Sequence, residues 1–118
     1  MAPSLGALAV CLLCASCATG PEPREELAAG RAAVEQAAAA GAKDLAPSEF
    51  AAANDKLNRA QAVAAQDPVT ARRLAEEAQV DARLAIVTAE SRRTQQASEE
   101  LDQSIRALKE EGATPARR

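Results

Sequence analysis

The 118-residue chain has no histidine, tryptophan or tyrosine, and a single phenylalanine, Phe50. Without histidine it lacks the commonest general base and the commonest metal ligand. Without aromatics it lacks the stacking platforms that hold single-stranded nucleic acid. The net charge is only −3 and the acids and bases are interleaved, so no nucleic-acid partner is expected. No apolar run approaches the roughly 20 residues that a membrane-spanning helix needs. Five glycines are scattered along the chain, and none forms a phosphate-cradling loop.

Alanine is abundant, at 32 residues. From Cys17 onward there are only fifteen larger apolar side chains, including Leu27, Val34, Phe50, Leu57, Leu74, Leu84, Ile105 and Leu108. Alanine is the best helix former and loses no side-chain entropy on folding. A slim, mostly helical structure follows, and a thick globular core is excluded.

All three cysteines, Cys11, Cys14 and Cys17, lie in "AVCLLCASCATGPEP", in or just after a charge-free apolar run. A zinc or iron–sulfur site usually takes four ligands, and neither a fourth cysteine nor a histidine is present. No metal site and no cofactor are expected. The segment reads instead as a secretory signal, with an apolar stretch from Leu5 to Leu13 and small residues at a cleavage site. "ASC" at residues 15–17 resembles a bacterial lipobox, although Cys14 stands where Leu is usual and "MAPS" carries no Lys or Arg. That resemblance implies cleavage before Cys17 and lipidation of Cys17. Ordinary secretory cleavage nearby, for example after Ala18, is the alternative. The expected organisation is a signal peptide over 1–16, a lipid-anchored tether over 17–23, an alanine-rich helical domain over 24–111 and a disordered tail over 112–118.

Three helices are expected. The first starts near Arg24, with Glu25 and Glu26 complementing its dipole. Its stripe is Leu27, Val34, Ala38 and Gly41, interrupted by Arg31, and Gly41 ends it. "GAKDLAPSEF" is a break, after which Pro47 opens a second helix with the stripe Phe50, Ala53, Leu57, Ala60 and Ala64. Asp67 as N-cap and Pro68 at the first helical position open a third helix of about 43 residues. In its first half one face carries Leu74, Ala78, Ala82, Ala85 and Ala89, and another carries Val80, Leu84 and Val87. Only the second face continues, as Ser91, Thr94, Ser98, Leu101, Ile105 and Leu108 in strict 4–3 spacing. Two apolar faces predict two neighbours for the first half and a projecting second half. The expected fold is therefore all-α, an elongated antiparallel arrangement of two short helices on one long one.

Single polar features read blandly. Asp81 is expected to pair with a cation such as Lys56 or Arg59. Glu76-Glu77, Glu99-Glu100 and Glu110-Glu111 are solvated faces, because adjacent helical residues point about 100° apart and make no acid–base pair. Arg72-Arg73 and Arg92-Arg93 read the same way, since acids are interleaved with them. Ser91, Thr94 and Ser98 have no activating base on their seam, so they tune a helix contact rather than act as nucleophiles. No catalytic residues and no small-molecule substrate are expected.

Residues 37–91 hold "GA" followed by "APSEF", then "AANDKLNRA" and "ARRLAEEAQVDARLA". In order and spacing they resemble an alanine-rich family catalogued as a domain of unknown function. Its members are small bacterial envelope lipoproteins or precede OmpA-like peptidoglycan-binding domains. The resemblance implies an envelope protein and brings no catalytic residues. Since residues 92–118 hold no OmpA-like segment, peptidoglycan binding is not carried over. The expectation is a lipid-anchored helical lipoprotein on the periplasmic side of the outer membrane, with a structural or protein-interaction role. Its contacts would be the membrane, through the anchor, and a protein partner or second copy on Leu101, Ile105 and Leu108. The alternative is a tetratricopeptide-like helical adaptor secreted to the periplasm without an anchor.

Overall fold

A computed structural model describes residues 20–115. The expectations for the signal segment, for Cys17 and for residues 116–118 lie outside these residues. The described chain is helical throughout: α1 (Arg24–Ala39), α2 (Ala42–Leu45), α3 (Pro47–Val63) and α4 (Pro68–Ala113).

The helix boundaries follow local chemistry. Gly41 has φ +80°, a left-handed conformation that favours glycine, and it ends α1. Pro47 is the first residue of α3 and keeps Ala46 out of the helical conformation (φ −141°, ψ 56°). Asp67 caps α4 by accepting the Thr70 backbone N–H at 3.0 Å, with Pro68 at the first position. These three boundaries are where the sequence places them.

The expected three-helix count needs one addition. The break "GAKDLAPSEF" contains the single-turn helix α2, closed by backbone bonds from Leu45 to Gly41 (3.1 Å) and from Ala46 to Ala42 (2.9 Å). Ala42 and Ala46 are completely buried, so packing holds a turn that is too short to persist alone. Two further boundaries move. Pro23, assigned to the tether, is fully buried. The long helix carries on through Gly112 and Ala113, two residues into the expected tail.

The helices alternate in direction. Glu26 of α1 meets Arg72 near the start of α4 (2.7 Å), and the end of α1 meets Arg93 farther along it. α1 therefore runs parallel to α4, and α3 runs back between the same levels. The two short helices lie side by side on one stretch of α4, with Gly30, Leu57 and Ala75 meeting at a three-way junction.

The core is made chiefly of alanine. Ala37, Ala53, Ala60, Ala71, Ala75, Ala78, Ala82, Ala85 and Ala89 are all fully buried, beside Val34, Leu57 and Leu74. Small side chains let helix backbones approach closely, so a narrow face supplies the contact. In α1 the buried line passes through Gly30, Val34 and Ala37, and Arg31 points to solvent. The expected stripe is thereby rotated, so that no charge interrupts it.

Candidate interaction surface

α4 outruns its partners. Its 46 residues span about 69 Å at 1.5 Å per residue. From Glu90 to Pro115 every residue is exposed. The overhang has the projecting geometry that the 4–3 seam implied, and Leu101, Ile105 and Leu108 are 61%, 41% and 67% exposed.

The other half of the seam departs from expectation. Val80, Leu84 and Val87 were expected to receive one of the short helices. They stay open to solvent instead, none less than 53% exposed. Both short helices share the opposite, alanine-lined face, because only that face lets two backbones come close at once. The exposed seam therefore does not start at Ser91. It runs unbroken from Val80 to Leu108, 29 residues and about 42 Å of helix.

One polar residue in mid-seam, Thr94, is compatible with burial. The Thr94 hydroxyl donates to the Glu90 carbonyl of its own helix at 3.0 Å, which satisfies it without a partner. The seam thus has apolar ends and a small, weakly polar centre.

Where the overhang leaves the bundle, two arginines hold the junction. Arg93 donates to the Ala40 carbonyl at 2.8 Å, and Arg92 donates to the Leu45 carbonyl. Helix C-termini leave carbonyls without intrahelical donors, and cationic side chains suit them. The Arg92-Arg93 doublet, expected as a solvated face, therefore fastens α4 to the ends of α1 and α2. Sequence periodicity had no means of showing this, because the partners lie 47 and 53 residues away.

On the flank of the bundle, Lys56 of α3 lies 2.7 Å from Asp81 and 3.5 Å from Glu77 of α4, and Arg73 bonds Glu77 at 2.7 Å. Lys56 faces the buried Asp81 Oδ2 at ion-pair distance but outside hydrogen-bond geometry. The contact with Asp81 is the main reason that the Lys56 ammonium titrates above its ordinary value. The Arg73 bond is the main reason that the Glu77 carboxyl titrates below its own. Asp81 thus pairs with Lys56, as anticipated, while Arg59 pairs with Asp55 (3.6 Å). Glu77 is a bridging residue rather than a purely solvated one. The network joins α3 to α4, and its contacts hold Lys56 and Glu77 in their charged forms.

Among the described residues, no group of three or more Cys, Asp or Glu side chains is placed to hold a metal, and no helix is long and apolar enough to cross a membrane. The lipidation residue, Cys17, lies outside them.

No curated protein and no solved structure matches the chain. A family model described as a domain of unknown function (DUF4398) matches residues 25–101. The match covers α1 from Glu25 onward, all of α2 and α3, and α4 as far as Leu101. It includes Val80, Leu84 and Val87 at the base of the seam and stops short of Ile105 and Leu108. The alanine-lined bundle and the first part of its overhang are thus the family's own unit, and the chain belongs to the DUF4398 family.

Proposed function

We propose that this is a lipid-anchored bacterial envelope protein, held on the periplasmic side of the outer membrane, whose role is structural contact rather than catalysis. The observation that carries the contact role is the uncovered apolar seam of α4. Six large aliphatic side chains of this seam lie outside while the core is filled chiefly with alanine. A monomer gains nothing from that arrangement, and contiguous exposed apolar stripes mark interaction sites. The overhang also lacks tertiary support, and isolated helices in water are marginal without it.

The anchor rests on the Ala15-Ser16-Cys17 context after an apolar run. Burial of Pro23 leaves a short, Pro- and Gly-containing link between Cys17 and the folded unit, which would hold the α1 end close to a membrane. The test is mass spectrometry of the full-length protein extracted from membranes of a Gram-negative host. A triacylated N-terminal Cys17 is expected, and an unmodified mature terminus at Thr19 would refute the anchor. Ala18 rather than Asp follows the cysteine, so fractionation should place the protein in the outer membrane. Recovery wholly in the inner membrane would overturn that placement.

A further inference from the structure

We propose that the α4 seam is closed by the same seam of a second copy of this chain, running antiparallel, with the two-fold axis beside Gln96. The proposal rests on the contact role argued above and names the partner. Three observations support it: the length of the seam, its apolar pattern and the charges that flank it.

In a two-stranded coil, every third or fourth residue enters the seam, and the residues beside it set orientation through charge. With the axis at Gln96, Leu84 meets Leu108 of the second copy and Val87 meets its Ile105. Ser91 meets Leu101, and Thr94 meets Ser98. Leu84 and Val87 of each seam are covered by Leu108 and Ile105 of the other, Val80 falls opposite Gly112, and the small polar Thr94 and Ser98 meet in the middle. All these side chains are exposed in one copy.

The flanking charges select this register. They place Arg83 against Glu111 of the second copy, repeated by symmetry. Near the axis, Gln95 and Ala97 meet their own counterparts. Shifting the antiparallel register by one heptad, with the axis between Arg92 and Arg93, sets Glu76 against Glu111. A parallel pair brings no opposite charges together along the seam. Like charges across such a seam oppose association, and opposite charges fix its register.

The bundles do not obstruct this arrangement. α1 and α3 occupy the alanine face of α4, away from the seam. They end up at opposite ends of a rod whose two Pro68 positions are about 84 Å apart. With an anchor at each end, the rod would lie along the membrane surface rather than stand on it.

The test uses disulfide trapping of the full-length chain in the membranes of the expressing bacterium, read against the wild type. Ala97→Cys should give a covalent dimer. Leu84→Cys alone and Leu108→Cys alone should not, whereas the two in one chain should. Arg83→Glu or Glu111→Arg should each lower trapping at Ala97→Cys by about two- to fivefold, and their combination should restore it. Strong trapping at Leu84→Cys alone would indicate parallel pairing and overturn the proposal. So would absence of dimer at every position, or failure of the charge swap to rescue. Loss of the anchor is a separate result: it moves the protein to the soluble fraction and leaves the trapping pattern unchanged.

Discussion

Gly30 is the position where the packing can be tested most sharply. A Cβ added there would lie 3.1 Å from Leu57 Cδ1 and 3.3 Å from the Ala75 carbonyl oxygen. The first neighbour is the end of a flexible side chain and can yield. The second is helix backbone and cannot. Gly30→Ala gains about 1 kcal/mol of helix propensity. It loses a comparable amount to the tight contact, so its stability should stay within about 1 kcal/mol of wild type. Gly30→Leu adds three further carbons with nowhere to go between α1 and α4, and over-packing of this kind costs about 1–3 kcal/mol. At about 4–8 °C per kcal/mol for a domain of this size, the melting temperature should fall by about 10 °C. Thermal melting followed by far-ultraviolet circular dichroism reads this directly. Leu57 is 5% exposed, so Leu57→Ala alone should cost about 2–5 kcal/mol. Because it clears space beside Gly30, the double variant should be less damaged than the sum of the singles. Were Gly30→Leu to melt at or above the wild-type temperature, α1 could not be seated against α4 at this point.

Replacing Leu101 and Ile105 with Asp should leave the melting temperature of the monomer within a few degrees, because neither touches the bundle; a large loss of monomer stability would show that the overhang folds back. Acid should destabilise the fold through groups whose carboxyls titrate low when folded: Asp67, held below 3.8 by its bonds to Thr70, and Glu77, held below 4.5 chiefly by Arg73. Their contribution is present above those values and lost as pH falls through the lower folded values, so stability should decline as pH falls below about 4.5. Asp67→Asn keeps the capping oxygen but does not titrate, so it should flatten that decline, and an unchanged acid slope would count against the cap as its source.

The helix starts and the alanine face were legible because they depend on neighbours in sequence. Pro47, Asp67-Pro68 and Gly41 act within one turn, and Ala53–Leu57–Ala60 and Ala78–Ala82–Ala85 repeat at helical spacing. The choice between the two faces of α4 was not legible. Periodicity finds apolar faces, and the larger Val80–Leu84–Val87 face has more to gain from burial. Backbone proximity decided otherwise: two helices can share an alanine groove, and aliphatic side chains would hold them apart. The single turn at Ala42–Leu45 was hidden because tertiary burial, not propensity, holds it. The Arg92 and Arg93 contacts were hidden because they join distant parts of the chain. The seam residues Leu101, Ile105 and Leu108 were found from spacing alone, whereas the exposure of Val80, Leu84 and Val87 on the same seam needed the structure.

A core built from methyl groups also has a thermal consequence. The heat capacity of unfolding comes largely from apolar surface newly exposed to water, about 12–15 cal/mol/K per residue in an ordinary domain. Each buried alanine exposes little such surface, and the residues from Glu90 onward are already wet. The bundle should therefore unfold with a heat capacity change below the ordinary range for its length. Its curve of stability against temperature would be shallow, with less stability at the maximum and less loss on cooling. Such a fold tolerates a wide span of temperatures without being very stable at any of them.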